Sequence, residues 1–128
     1  MTETTTPSAE GLDGVQALMQ AGQIPDALES LNQLPEDDRQ SQMGLYMRAV
    51  CLRHLKEKMG AEQVLLSLID RFPNYGRAFQ ELGHLYRDSL RNPEAVSAYA
   101  TSCHMDPALI ASCPVQYKLR RQFHSLDL

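Results

Sequence analysis

The sequence predicts an all-α fold, an α-solenoid of three helical hairpins closed by a C-terminal capping helix. Three observations carry this. The chain aligns with itself at a spacing of 34, which puts Ala27, Ala61 and Ala95 in one column. Apolar residues recur at three and four within each unit, and no alternating strand pattern appears. Glycines and prolines punctuate the chain between the periodic segments. A repeat of this length means one supersecondary unit stacked on its own copies.

Further columns agree. Leu31, Leu65 and Tyr99 fall in register, as do Leu18, Leu52 and Tyr86; Leu34 pairs with Leu68, and Pro73 with Pro107. In order, helices are expected near 9–21, 25–34, 37–55, 60–72, 75–90, 93–105 and 110–126. Pro25, Pro35 and Pro93 suit a first helical turn, where the missing N–H costs nothing. Asn92 reads as an N-cap before Pro93 and Glu94, and Gly22 and Gly60 as breaks between helices. Glu36, Asp37 and Asp38 sit where a helix N-terminus favours negative charge. Ala27, Ala61 and Ala95 mark close crossings that admit only a small side chain, faced by Gly83 in the third unit and Ala49 in the second.

Composition bounds the function. With 128 residues the chain suits one domain, residues 9–128, behind a disordered lead-in at 1–8. Such a length buries roughly two-thirds of the unfolded surface without a staple. A net charge of -4 argues against nucleic acid and anionic lipid as partners. No apolar run approaches a membrane span, and the N-terminus lacks the charge and apolar stretch of a secretory signal. Three cysteines, Cys51, Cys103 and Cys113, suit a reducing compartment, and the cytoplasm is expected. Charge is uneven: residues 1–38 hold eight acids and no Lys or Arg, and residues 39–128 hold all 12 bases with the other eight acids.

The stretch Ala78-Phe79-Gln80-Glu81-Leu82-Gly83-His84-Leu85-Tyr86, followed by Pro93-Glu94-Ala95-Val96, Tyr99 and Asp106-Pro107, resembles a tetratricopeptide repeat. Residues 42–75 resemble it more loosely, with Ala49 for the glycine and Leu65 for the aromatic. Residues 9–41 depart furthest: Gly11 stands where a large side chain is usual, and Pro35 shortens the second helix. The repeats are thus about 9–41, 42–75 and 76–109, with a capping helix at 110–126. The resemblance implies a right-handed solenoid that binds proteins and catalyses nothing, with each unit's first helix lining a concave groove. More weakly, the third unit running into Asp106-Pro107-Ala108-Leu109 is similar to the repeat arm of bacterial sulfotransferase proteins, which makes an arm lacking its catalytic domain the alternative.

By that family geometry Leu12, Gln16, Met19, Glu81 and Asp88 also face the groove, and the expected ligand-binding residues are Met43, Tyr46, Met47, Val50, Arg53, Arg77, Gln80, His84 and Arg87. The second unit would offer an apolar, Met-rich strip suited to a helix or peptide, or to a second copy of the chain. The third would offer a polar one. On this reading Tyr46→Glu with Met47→Glu abolishes binding and spares the fold. Binding of chaperone C-termini is rejected, because only Arg77 of the required basic clamp is present and Glu81 repels a carboxylate. Cys103, His104, Cys113 and His84 lack metal-ligand spacing, and no nucleophile motif or Gly-rich phosphate loop occurs, so no metal, cofactor or catalytic residue is expected. The basic stretch Lys118–Arg121 reads as the solvated face of the capping helix.

Overall fold

The computed structural model describes residues 8–112. Within them lie α1 (Ser8–Gln20), α2 (Ile24–Asn32), α3 (Glu36–Arg39), α4 (Gln42–His54), α5 (Lys58–Arg71), α6 (Gly76–Asp88), α7 (Asn92–Met105) and a 3-10 segment (Pro107–Ser112). No strand occurs among the described residues. The chain gathers into two compact units that divide between Val64 and Leu65, inside α5.

The repeat is written in the backbone as well as in the sequence. Gly22, Lys56 and Leu90, each 34 apart, all adopt positive φ, at 81°, 67° and 61°. Each ends a helix by the same pair of bonds. Gln23, Glu57 and Arg91 donate their N–H to the carbonyls of Leu18, Leu52 and Tyr86 at 2.9, 2.9 and 2.8 Å. Gly22, Lys56 and Leu90 donate to Met19, Arg53 and Arg87 at 3.0 Å. This left-handed cap satisfies carbonyls that a helix end leaves orphaned. The expected break at Gly60 is therefore misplaced: Gly60 lies in the first turn of α5, and the chain turns at Lys56. Likewise Arg91, not Asn92, occupies the cap position of α7; its guanidinium lies 4.3 Å from the Tyr86 ring centre and 3.4 Å from Glu94.

In the first unit Val15, Ala27, Leu31, Met47 and Cys51 form the core, with Leu12, Leu18, Met19, Ile24, Leu28, Leu34 and Tyr46 packed around it. Leu34 fills the space left by Gly11, where an added Cβ would come within 2.8 Å of its Cδ2. The expected single helix 37–55 is broken into α3 and α4. Ser41 is extended (φ -71°, ψ 164°) and caps α4, its hydroxyl accepting from the Gly44 N–H at 3.0 Å and donating to the Asp38 carbonyl at 2.7 Å. Arg39 Nε donates to the Leu34 carbonyl at 2.9 Å, which ties the corner back to the end of α2. Gly44 lets the α3 backbone lie against α4, since a Cβ there would penetrate the Asp38 carbonyl oxygen and stand 3.0 Å from that of Arg39.

In the second unit α6 and α7 pack as a hairpin around Ala95, Tyr99 and Cys103, with Tyr86 and Val96 against them. Gly83 is the point of closest approach: a Cβ there would lie 2.8 Å from the Tyr99 ring. The expected small-residue crossing is therefore present, and Ala27, Ala61 and Ala95 are all fully buried, as is Ala49. Of the expected helix 110–126, residues up to Ser112 form a 3-10 segment, and the remainder, with the lead-in 1–7, Cys113 and Lys118–Arg121, lies outside the described residues.

Candidate functional site

The predicted binding residues occupy equivalent columns of two first helices. On α4 they are Met43, Tyr46, Val50 and Arg53; on α6, Arg77, Gln80, His84 and Arg87, each 34 residues later. The spacing of 3, 4 and 3 puts each set on one helical stripe. The two stripes differ in what the fold leaves available.

On α4, Met43 is 43% exposed, while Tyr46, Val50 and Arg53 are half-buried. Tyr46 leans its ring on the first unit's core. Met47 does not line the stripe. It is 2% exposed and sits among Val15, Ala27, Leu31 and Cys51. A carboxylate placed there would have no partner in an apolar core, so Met47→Glu would unfold the unit instead of testing a surface. The residue in its column on α6, Glu81, is also buried, which marks this column as a packing position. Of the further lining residues on α1, Gln16 is exposed, while Leu12 and Met19 pack against the core.

On α6 two of the four residues already have internal partners. Gln80 is buried, and its amide nitrogen donates to the Ser112 hydroxyl, so the 3-10 segment covers this part of the helix. His84 Nδ1 lies 2.6 Å from the Tyr99 hydroxyl, with the rings edge-on at 5.3 Å, so His84 closes the α6–α7 hairpin. Arg87 is half-buried and reaches the adjacent Asp88 at 3.1 Å. Arg77 is exposed near the start of α6. The arrangement provides an amphipathic docking strip on α4 and a largely self-satisfied polar strip on α6.

The cysteines are internal. Cys51 is fully buried, and burial pushes its thiol up to about 11, against a smaller downward pull from Arg48. Cys103 is buried in the second unit's core and free. Among the described residues no three His, Cys, Asp or Glu side chains gather to hold a metal. None of the described helices is long and apolar enough to cross a membrane.

Residues 44–75 match the tetratricopeptide repeat family. They are the second of the three units, α4 with α5 and the turn after it. Among solved structures the chain is similar to MamA, at 25% identity and a TM-score of 0.70 over 81% of this chain. It spans 61% of the length of that protein. No curated protein matches it. The fold class is that of an all-α solenoid of repeated hairpins.

Proposed function

This chain is a tetratricopeptide-repeat protein, and from that premise we propose that it is a non-catalytic interaction module that receives a peptide or helix of a protein partner on the first-helix faces of its repeats. The observation that carries the reading is the α4 stripe. Met43 is open to solvent, Tyr46 and Val50 expose part of their apolar surface, and Arg53 closes the row. An apolar strip ending in a guanidinium suits an amphipathic helix, with Tyr46 and Arg53 as the anchors. The cytoplasm is the proposed setting.

The test is capture from native lysate, with the wild-type chain beside a Met43→Glu, Arg53→Glu variant, read by mass spectrometry. Both residues have exposed surface, so circular dichroism and melting should stay close to wild type. A partner retained by the wild type and lost by the folded variant supports the module. Equal capture by both removes the α4 stripe from the binding surface. A concentration-dependent mass in solution, lost in the same variant, favours self-association through the stripe. A native gene product that carries a sulfotransferase-type domain would make the chain the arm of a larger enzyme.

A further inference from the structure

Arg48 stands where packing alone would place an apolar residue. Its column at the 34-residue spacing holds Leu82 in the third repeat, and Leu82 is 6% exposed in its hairpin. In the first repeat the column holds Gly14, whose Cβ direction is open space. At 100° per residue Arg48 lies on the side of α4 opposite the Met43–Tyr46–Val50–Arg53 stripe. It is half-buried, so its charge is partly stripped of water.

Its neighbourhood makes that worse. Arg48 is one turn beyond Gly44, on the face where α4 meets the α3 backbone at Asp38 and Arg39. That brings the Arg39 charge to bear on it. Burial first, and Arg39 second, weaken the hold of Arg48 on its proton. The opposing influence is the Cys51 thiol, which stays protonated until about pH 11 and so offers no negative charge at neutral pH. Among the described residues neither arginine forms an ion pair with a carboxylate. Arg39 is nevertheless held in place: its Nε–H is committed to the Leu34 carbonyl, which leaves the rest of its guanidinium fork free. Two neighbouring guanidinium groups, one fixed and one half-buried, cost stability in the free protein and are repaid when an oxyanion bridges them.

We infer that Arg39 and Arg48, at the corner between α3 and α4, form a receptor for a side-chain carboxylate of an acidic protein segment. Arginine forks match carboxylate geometry, and the two groups approach from different helices, so one carboxylate can be gripped from both. Glu36 and Asp37 are exposed on the same short helix as Arg39, so the receptor should select a single well-placed acid over a dense acidic run.

The experiment uses the full chain and a short helical peptide with one central Glu flanked by neutral residues. Nε–Hε resonances of Arg39 and Arg48 are followed by NMR during titration at low ionic strength. Both should shift, and the Glu→Gln peptide should move neither. Arg48→Gln should bind at least tenfold more weakly while melting at or above the wild-type temperature, because the like-charge pair is gone. Arg39→Lys, which keeps the charge and loses the fork, should also weaken binding, and Met43→Glu should not. If Arg48→Gln fails to fold, the wild-type titration and Arg39→Lys decide alone. The inference is overturned if the peptide leaves both resonances unmoved, or if inorganic phosphate at equal ionic strength shifts them while the peptide does not.

Discussion

Gly44 offers a severe test of how the first unit is built. Replacing it with alanine adds a single methyl group, and Ala is the better helix former by about 1 kcal/mol. A helix judged in isolation would gain from the change. The structure predicts the reverse. The new Cβ would enter the Asp38 carbonyl oxygen and stand 3.0 Å from the Arg39 carbonyl oxygen, and both are backbone atoms that cannot rotate aside. The α3 turn must move away from α4 by about 1 Å, an overpacking cost of about 1–3 kcal/mol. That movement also strains the Ser41 cap and the Arg39–Leu34 bond, each worth about 1 kcal/mol. Set against the gain in propensity, the net loss should be about 2–4 kcal/mol. For a chain of 128 residues this lowers the melting temperature by about 8–15 °C. Gly14→Ala is the control, since it lies within α1 with nothing within 4 Å of its Cβ direction, and should gain about 0.5–1 kcal/mol. Urea unfolding at 25 °C measures both. A Gly44→Ala loss under about 0.5 kcal/mol would refute the contact between α3 and α4.

Three further outcomes follow from the geometry. Leu90 is 84% exposed at φ 61°, so Leu90→Gly should stabilise the chain by about 0.5–1 kcal/mol in chemical unfolding, and Gly22→Ala, at φ 81°, should cost about 1 kcal/mol. Raising the pH should destabilise the first unit. The Cys51 thiol titrates near 9.0 when unfolded and near 11 when folded, so its contribution is fully present below pH 9 and lost by about pH 11; Cys51→Ala should flatten that part of the stability profile. Tyr99→Phe should cost about 1 kcal/mol by removing the hydroxyl that meets His84, with helicity by circular dichroism unchanged.

Much of the fold was legible because the repeat is enforced at buried positions. Ala27, Ala61 and Ala95 have no exposed surface, and neither do Leu31 and Leu65. A column that tolerates only one size of side chain leaves a trace in the sequence. The turns were less legible, since their signal is a backbone conformation and only one of the three is a glycine. Lys56 and Leu90 adopt the same positive φ as Gly22 with side chains that usually avoid it. The break at Ser41 was missed for a different reason. Apolar periodicity runs through it, and what stops the helix is one hydroxyl together with a contact between α3 and α4.

The candidate site shows the same division between local pattern and tertiary contact. A stripe drawn at 3-4 spacing finds the face of α4 but not its edge. Met47 neighbours Tyr46 in sequence and is turned 100° from it around the helix, which moves it from half-exposed surface to core. The column comparison would have caught this, because a carboxylate at Glu81 is also buried. Read the other way, the same comparison isolates Arg48. A repeat makes each position its own control: where one copy buries a leucine and the next carries an arginine without an acid partner, packing no longer accounts for the residue. Selection for a contact outside the chain does.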